Sequence, residues 1–280
     1  MLDYRLIAID IDGTLLDGTS HLRPRVRQAL RRAMEAGVRI LLCTGRRYRT
    51  ALPIAQDAGL ALPLVCHSGA LVKDTGTHRT LQATPLAHHE LHGLLDALEA
   101  AGLTPMVYTD TFERGRDFVV QAGAPLTAYH EDYFAKNAGH FAEVASLREA
   151  LGAAVVQVCT FAELDDLRGF KEALDERLDH EVTCHLLSSP HYIGRFLEFQ
   201  SARASKWAAV RALAASFGVP TEAILALGDD ENDISMLRGA GLGVAMGNAA
   251  YPVKSAADVV TATNDEDGVA RVVEKLLAKA

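Results

Sequence analysis

The feature that most constrains the fold is a series of short apolar runs in which polar residues do not alternate with apolar ones. In the first third of the chain these runs are Leu6–Ile9, Val38–Cys43 and Pro63–Cys66, and segments with helical signals separate them. A strand without polar alternation is buried on both faces, which is typical of a parallel sheet covered by helices. The sequence therefore predicts an α/β fold for this segment.

The intervening helices carry ordinary start and stop signals. Pro24 opens a helix that we expect to end at Ala36, because Gly37 follows it, and a second helix is expected to end at Ala58 before Gly59. The last third repeats the alternation, with helices predicted at 204–217, 233–238, 249–256 and 269–279 and strands at 223–227, 242–245 and 258–260.

The middle third has a different pattern. It predicts helices at 85–100 and 164–178, strands at 106–109, 117–120 and 155–161, and a hairpin of 182–187 and 193–199 across Ser188-Ser189-Pro190-His191. This α+β segment lies between two α/β segments. The simplest architecture is a doubly wound, mostly parallel α/β core made from residues 1–83 and 201–280, with an inserted α+β domain at 84–200.

The charge balance limits the partners. The 28 basic and 36 acidic residues give a net charge of −8, which argues against nucleic acid or an anionic membrane as the main partner. An anionic substrate stays open, since one bound cation reverses the sign of a site. No run approaches the roughly 20 apolar residues of a membrane helix, and the first residues show no signal-peptide pattern. We therefore expect a cytoplasmic protein.

The four cysteines fit no metal-binding spacing that we can name. They stand at positions 43, 66, 159 and 184, and no C-x-x-C pair occurs. Three of them lie in apolar runs that are predicted to be strands. Buried structural thiols are therefore the expected interpretation.

Polar residues come after the predicted strands at the place where a doubly wound sheet binds its ligands, beyond the carboxyl ends of the strands. The members of this set are Asp10, Asp12, Gly13 and Thr14 after the first strand, Thr44, Gly45 and Arg46 after the second, Lys206 near a helix start, and Gly228, Asp229, Asp230, Glu231, Asn232 and Asp233 after the strand ending at Leu227. The topology predicts that they converge at one edge of the sheet.

Such a set suits phosphoryl transfer. Several carboxylates in one place repel each other unless a hard cation lies between them, and Mg²⁺ prefers oxygen ligands. The reaction mainly needs positioning and neutralisation of the charge on the phosphoryl oxygens. An aspartate can be the nucleophile, while a second carboxylic acid protonates the leaving oxygen and later activates water. We assign these two roles to Asp10 and Asp12.

The ordered motifs resemble those of the haloacid dehalogenase (HAD) superfamily, and within it the Cof-type phosphatases that have a type IIB cap. The family patterns D-x-D-G-T-L, T-G-R, S-K and G-D-x-x-N-D occur here in family order. They are Asp10-Ile11-Asp12-Gly13-Thr14-Leu15, Thr44-Gly45-Arg46, Ser205-Lys206 and Gly228-Asp229-Asp230-Glu231-Asn232-Asp233. The resemblance covers essentially the whole chain.

The resemblance implies catalytic roles residue by residue. Asp10 would be the nucleophile and a metal ligand, and Asp12 would be the general acid/base and would bind Mg²⁺ through its backbone carbonyl. Thr44 would donate a hydrogen bond to the phosphoryl group, and Lys206 would hold that group and Asp10 in place.

The same resemblance implies the binding residues and the role of the inserted domain. Asp229 and Asp233 would complete the metal site, while Gly45, Arg46 and Asn232 would contact the substrate. The inserted domain would be a cap that selects substrates. Arg46 could equally be a surface charge, and we assign Asp230 and Glu231 to the stabilisation of a helix start.

Two positions depart from the family pattern. Many relatives read N-G-A after the third strand, whereas this chain reads Ser68-Gly69-Ala70, and serine is shorter than asparagine. After the lysine most relatives have glycine, whereas Trp207 stands here and would crowd the helix start. Both departures put a local contact in question without removing the charged groups.

Other residues invite a functional interpretation that we weigh against a simpler one. The histidines at 88, 89 and 92 share one helix, but without a carboxylate or thiol partner we interpret them as surface residues. His191, Tyr192 and Arg195 lie near the predicted hairpin. They are equally well explained as specificity residues and as an exposed turn.

The leading hypothesis is Mg²⁺-dependent hydrolysis of a small phosphorylated metabolite, such as a sugar phosphate, a nucleotide or a cofactor phosphate. A sugar phosphomutase would use the same phospho-aspartate, and a phosphonatase would need a Schiff-base lysine, for which Lys136 and Lys171 have no recognisable context. A phosphate-sensing protein is a further alternative. A dinucleotide-binding enzyme lacks its G-x-G-x-x-G signature after the first strand. The sequence leaves the oligomeric state and the exact substrate open.

Overall fold

A computed structural model describes residues 4–150, 154–177, 181–188 and 193–278. The chain divides into two compact units: Met1–Gln82 together with Ser205–Ala280 form the first, and Ala83–Ala204 form the second. The role of the second unit as a substrate-selecting cap stays a prediction.

The N-terminal segment alternates strands with helices. Pro24 is the first residue of the first helix, whose apolar side chains recur every three or four residues and are buried, as at Val26, Leu30 and Ala33. The elements are β1 (Leu6–Ile9), α1 (Pro24–Glu35), β2 (Arg39–Leu42), α2 (Tyr48–Asp57), β3 (Leu64–Cys66), β4 (Leu71–Lys73) and β5 (Thr80–Ala83).

The middle segment mixes antiparallel strands with helices. Its elements are α3 (His88–Ala100), β6 (Met106–Thr109), β7 (Phe118–Gln121), α4 (Ala128–Lys136), β8 (Phe141–Val144), α5 (Leu147–Ala150), β9 (Val155–Ala162), α6 (Leu164–Arg177), β10 (Val182–Ser188) and β11 (Arg195–Ser201). The strands β10 and β11 pair in antiparallel register, while the turn between them lies largely outside the described residues.

The C-terminal segment returns to the α/β alternation. Its elements are α7 (Lys206–Ser216), β12 (Ile224–Gly228), α8 (Ile234–Gly239), β13 (Leu242–Ala245), α9 (Tyr251–Ala256), β14 (Val259–Val260) and α10 (Gly268–Leu277). The predicted bounds of these elements were correct to within a few residues, and those of β13 match.

The first unit is built on a parallel five-stranded sheet in the order β14-β13-β12-β1-β2. The strand β1 lies between β12 and β2, and all four of its residues are fully buried. The two strands flanking β1 come from opposite ends of the sequence, so residues far apart in the chain meet at one edge. The predicted fold class, a doubly wound α/β core with an additional α+β sheet domain, is confirmed.

The third predicted strand is placed differently from our expectation. We expected 63–66 to extend the parallel sheet, but β3 pairs antiparallel with β4 and belongs to a separate three-stranded sheet in the order β3-β4-β5. A parallel bridge between Cys43 and Val65 links β3 to the end of β2. The strands β4 and β5 were not predicted, because each is only three or four residues long and lies among turn residues.

The second unit is built on a six-stranded sheet in the order β10-β11-β9-β6-β7-β8. One face packs against α3 and α6 through apolar residues such as Leu94, Val158 and Leu197. The opposite face carries aromatic side chains, including Phe118 and Phe161, that contact Tyr133 of α4. The helix α4 and the strand β8 were not predicted, since their mixed composition has no clear period.

Candidate active site

The side chains predicted to act together lie at the carboxyl edge of the parallel sheet. Asp10 directly follows β1, and its backbone N–H donates to the carbonyl of Leu227 in β12. Asp229 directly follows β12, the neighbouring strand. Because parallel strands end at the same edge, the two carboxylates become neighbours, although the paired residues Ile9 and Leu227 are 218 positions apart in the chain.

The loop after β1 is a tight turn that needs glycine. The N–H of Leu15 donates to the carbonyl of Asp10, and the N–H of Leu16 donates to the carbonyl of Ile11. Gly13 has a φ of 75°, a conformation that glycine adopts without steric cost. A Cβ atom at this position would also overlap the carboxylate of Asp229. The glycine therefore allows the loop to lie directly against a carboxylate.

Three carboxylates converge at this edge. One oxygen from each of Asp10, Asp229 and Asp233 lies within 4.8 Å of the others. Asp10 is 4% exposed and Asp233 is fully buried, while Asp229 is half-buried. The second oxygen of Asp233 accepts the backbone N–H groups of Asp229 at 3.0 Å and Asp230 at 3.1 Å. This bonding fixes Asp233 at the centre of the loop after β12.

Lys206 is buried among these carboxylates. It is the first residue of α7, and the Ser205 hydroxyl caps that helix by accepting the N–H of Ala208. The Lys206 ammonium donates to Asp10 and Asp233, each at 2.7 Å, and to Asn232 at 2.9 Å. With 1% of its surface exposed, Lys206 is a structural part of the site.

The charges at the site do not balance. Three carboxylates face one ammonium, so the ionised cluster carries two net negative charges. Burial raises the pKa of Asp10 well above its ordinary value, and although Lys206 lowers it, Asp233 and Asp229 raise it further. Burial also raises the pKa of Asp229 to about 7, in spite of its hydrogen bond from Thr14. For Lys206, burial acts to lower the pKa, but Asp10 and Asp233 outweigh it and raise the pKa.

The residues present fit a divalent cation of the magnesium type. The donors are carboxylate oxygens, which hard cations prefer, and a charge of two would neutralise the excess. The cluster of Asp10, Asp229 and Asp233 contains three of the four residues predicted to bind the metal, and their role as ligands stays a prediction. The fourth, Asp12, was expected to contribute its backbone carbonyl, and that contribution stays a prediction.

The carboxylate of Asp12 lies apart from this cluster, in an ion pair with Arg46. The Nε and Nη2 atoms of Arg46 donate to its two oxygens at 2.6 and 2.5 Å. Such two-point pairing holds a planar carboxylate in one orientation. Arg46 is therefore ion-paired in this structure, and its predicted contact with the substrate stays a prediction.

The chain is similar over its whole length to known hydrolases. A family model of haloacid dehalogenase-like hydrolases matches residues 7–273. This chain belongs to that family. Phosphatase YwpJ of Bacillus subtilis is 32% identical over 98% of this chain and 100% of its own, and pyridoxal phosphate phosphatase YbhA of Escherichia coli is 30% identical over 96% and 97%.

A solved structure has the same fold. The HAD subclass IIB sugar phosphatase BT4131 aligns with a TM-score of 0.78 over 97% of this chain and 98% of its own, at 24% identity. The prediction of a HAD-superfamily enzyme of the Cof type is thereby confirmed.

In this HAD hydrolase the second motif lies next to the strand that precedes the predicted nucleophile. Thr44 is buried, and its hydroxyl oxygen accepts the N–H of Arg46 at 3.0 Å. The half-buried Gly45 lies between them. Thr44 therefore lies where the chain leaves β2, next to the strand that carries Asp10.

Ser68 takes part in the hydrogen bonding of the site as an acceptor, while the contact that it would donate stays open. Its hydroxyl accepts the side-chain N–H of Asn232 at 3.2 Å, while Asn232 also accepts from Lys206. The backbone reaches this position through positive φ angles at His67 (47°) and Ser68 (50°), which are uncommon for residues other than glycine. Ser68 thus joins a chain of hydrogen bonds that ends at the predicted nucleophile.

Trp207 does not crowd Lys206. Its indole packs against Gly239 of α8, where any Cβ would overlap the ring, and it joins the core beneath the sheet. The helix places Lys206 and Trp207 in different directions, since consecutive residues are about 100° apart around the axis. The expected crowding is therefore not found.

The histidines that suggested a metal site have other neighbours. His88 and His92 stack with ring centroids 4.0 Å apart, and His89 contacts Glu181 at 3.1 Å. Within the described residues they belong to no group of possible metal ligands. Arg195 is exposed on β11. His191 and Tyr192 lie outside the described residues.

The remaining sequence expectations concern cysteines and membranes. All four cysteines are buried thiols outside any disulfide, as expected for structural residues. None of the helices in the part of the chain that the structure describes has the length and apolarity needed to cross a bilayer.

Two residues that contact Asp229 were given no role from the sequence. Thr14 was named only as a member of the set after the first strand and of the first motif, and its hydroxyl donates to Asp229 Oδ1 at 2.6 Å. Asn248 lies three residues after β13 and donates to Asp229 Oδ2 at 3.3 Å. The position of Asn248 after a parallel strand was the available signal, because ligands bind beyond the carboxyl ends of such strands.

The raised pKa values predict that cation binding depends on pH. Between the ordinary carboxyl pKa near 3.8 and the folded-state value of about 7, the folded protein without cation holds the Asp229 proton more tightly than the unfolded chain. The stability that the protonated Asp229 carboxyl gives to the cation-free fold is thus lost as the pH rises through this range. Mg²⁺ needs the ionised form, so we expect its affinity to fall about tenfold per pH unit below pH 7.

Calorimetric titration with Mg²⁺ between about pH 5 and pH 8 measures this dependence. Repeating it in buffers of different ionisation enthalpy counts the protons released, which we expect to be at least one at pH 6. An affinity that is constant over this range would contradict the raised pKa values.

Proposed function

We propose that this chain hydrolyses small phosphomonoesters through a phospho-aspartate on Asp10. The observation that carries the proposal is the cluster of Asp10, Asp229 and Asp233 around the buried ammonium of Lys206. Phosphoryl transfer needs a positioned nucleophile and concentrated positive charge, and this edge of the sheet offers a nucleophile together with sites for that charge. The phosphatase names of the relatives support the same reaction class.

In the first step Asp10 attacks the phosphorus atom. Lys206 contacts its Oδ1, so we assign the attack to Oδ2. An O–P bond forms to Asp10 while the bond from phosphorus to the leaving oxygen breaks, and protonated Asp12 gives its proton to that oxygen. Lys206 and the hydroxyl of Thr44, whose oxygen already accepts from Arg46, orient the phosphoryl oxygens. When bound, Mg²⁺ supplies positive charge against the phosphoryl oxygens.

In the second step Asp12, now a carboxylate, takes a proton from water. The water oxygen bonds to phosphorus and the Asp10–phosphorus bond breaks, which regenerates Asp10 and releases inorganic phosphate. Before the first step Asp12, the ionised partner of Arg46, must take up a proton from solvent and exchange Arg46 for the leaving oxygen. An incoming phosphate offers Arg46 an alternative anion and thereby favours the exchange.

The substrate class we propose is a small phosphorylated metabolite. The relative YbhA is named for pyridoxal phosphate, which makes cofactor phosphates the first compounds to test. Sugar phosphates and nucleotides are the next compounds. The second unit, Ala83–Ala204, is proposed as the cap that distinguishes among them.

The test is phosphate release from p-nitrophenyl phosphate, pyridoxal phosphate, sugar phosphates and nucleotides, first with Mg²⁺ and then with a chelator. We expect release that stops when the cation is removed. Release from no monoester would refute the proposal, and a requirement for a sugar bisphosphate without net hydrolysis would indicate a mutase.

Asp12→Asn separates the two steps. We expect turnover to fall about 10²–10⁴-fold, because the second step loses its base, while phospho-enzyme accumulates as a protein species heavier by one phosphoryl group. Glu231→Gln is the matched control, since it removes an exposed carboxylate from the loop after β12 and should leave turnover unchanged. Unchanged turnover in Asp12→Asn would remove its acid/base role.

A further inference from the structure

Asn248 connects three loops at the carboxyl edge of the sheet. Its side-chain amide donates to the carbonyl of Gly13 at 2.9 Å and to Asp229 Oδ2 at 3.3 Å. Its carbonyl oxygen accepts the backbone N–H of Asn264 at 3.1 Å. A backbone N–H can only donate, so this contact fixes which end of the amide faces Asp229.

Asn264 contacts the loop after β1 at a second position. It is 9% exposed, and its side-chain amide donates to the carbonyl of Leu16 at 2.9 Å. Asn248 therefore contacts the loop after β1 at Gly13, while Asn264 contacts the same loop at Leu16. The two asparagines bind this loop at both of its sides and are bonded to each other.

The carboxylate of Asp229 is consequently held at both oxygens. Thr14 donates to Oδ1 at 2.6 Å, and Asn248 donates to Oδ2 at 3.3 Å. The backbone of Gly13 packs against the same carboxylate, where a side chain would not fit. The carboxylate plane is thus set by groups of the loop after β1 together with Asn248.

Orientation of a ligand matters for the cation that this cluster fits. Mg²⁺ demands near-octahedral geometry at short distances, so a carboxylate that rotates freely must be ordered when the ion binds. Hydrogen bonds to a ligating carboxylate order it before the metal binds, so that binding does not carry the free-energy cost of ordering. Loss of such hydrogen bonds typically weakens metal affinity about 10–100-fold.

We propose that Asn248, held by Asn264, is a positioning residue that orients Asp229 for Mg²⁺ and fixes the loop after β1 against it. This inference rests on the proposed function, since it concerns the cation of the same site. Asn248 touches neither the substrate nor the reacting atoms in this assignment. It acts through the geometry of Asp229.

The test is Mg²⁺ affinity measured by calorimetric titration in the absence of substrate. We expect Asn248→Ala to weaken binding about 10–100-fold, whereas Gln56→Ala, which removes an exposed amide from α2, should bind Mg²⁺ as the wild type does. At saturating Mg²⁺ the kcat of Asn248→Ala should return to near the wild-type value. A purely structural defect would instead lower kcat or the thermal midpoint at every Mg²⁺ concentration.

Asn264→Ala examines the part played by the neighbouring asparagine. This change keeps the backbone N–H that Asn248 accepts and removes only the side-chain bond to Leu16, so we expect it to weaken Mg²⁺ binding less than Asn248→Ala does. An affinity loss in Asn264→Ala as large as that in Asn248→Ala would contradict the assignment of the positioning role to the Asn248 side chain. Wild-type affinity in Asn248→Ala, or a wild type that binds no Mg²⁺, would overturn the whole proposal.

The outcomes distinguish this inference from the proposed function. A wild type that releases phosphate, with Asn248→Ala of undiminished Mg²⁺ affinity, would leave the function intact and refute the positioning role. If the wild type binds Mg²⁺ but hydrolyses no monoester, and Asn248→Ala has reduced Mg²⁺ affinity, the positioning role stands and the proposed function is refuted.

Discussion

Asp10→Asn is expected to lower phosphate release on the order of 10⁴-fold or more, because an amide cannot supply the attacking oxygen. The substitution keeps the size of the side chain and removes one charge from a cluster with excess negative charge. Burial raises the pKa of Asp10, so the loss of its charge costs less here than it would at an exposed carboxylate. We therefore expect the fold to survive the change.

Phosphate release in single-turnover assays measures the effect, with circular dichroism as the check on folding. Glu231→Gln again serves as the control, since it removes a carboxylate of the same edge that is exposed and outside the cluster. Cation-dependent release that persists in Asp10→Asn would show that another group is the nucleophile. Mass spectrometry of the wild type with substrate should place the phosphoryl group on the peptide containing Asp10.

Lys206→Met is expected to lower the free energy of unfolding by about 3–5 kcal/mol when no divalent cation is present. The ammonium is buried and contacts Asp10 and Asp233 at 2.7 Å, so its removal leaves two buried carboxylates without their cationic partner. Mg²⁺ at the same cluster should restore more stability to the variant than to the wild type, because it would replace the missing charge. Phosphate release should also fall.

Denaturant unfolding with and without Mg²⁺ measures both effects. Lys275→Met, on the exposed side of α10, is the control and should change stability by less than about 0.5 kcal/mol. The double variant Lys206→Met with Asp233→Asn should be more stable than Lys206→Met alone, since it no longer buries that unpaired charge. A Lys206→Met protein with wild-type stability in chelator would contradict this account of the site.

The sequence predicted the core well where its signals were local. The fully apolar run Leu6–Ile9 indicated a buried strand. Pro24 marks the first residue of the next helix, and Gly37 follows shortly after its end. Most segments that carry site residues were located as the polar residues directly after each predicted strand. The strands β4 and β5 were missed because they are short, and α4 and β8 were missed because their composition has no clear period. Burial by distant residues decides the structure of such segments more than their own pattern does.

The family resemblance implied the contact of Lys206 with Asp10, but the burial of the candidate site and its other contacts were not predicted. Nothing around Lys206 in the sequence indicates that it is buried between two carboxylates, since an isolated helix would leave it in solvent. The pairing of Arg46 with Asp12 likewise joins loops after two different strands. Asn248 was missed because its partners lie 235 and 19 positions away.

The sequence by itself determined the order of strands and helices and the residue types available at each strand end. Periodicity, glycine and proline act between neighbours in the chain, so these features can be read without the fold. Only the tertiary structure decided that Asp10, Asp229 and Asp233 share one buried space with Lys206. Their pKa values and cation affinity depend on burial and on distances across the sheet, and those arise only when β1 and β12 pair.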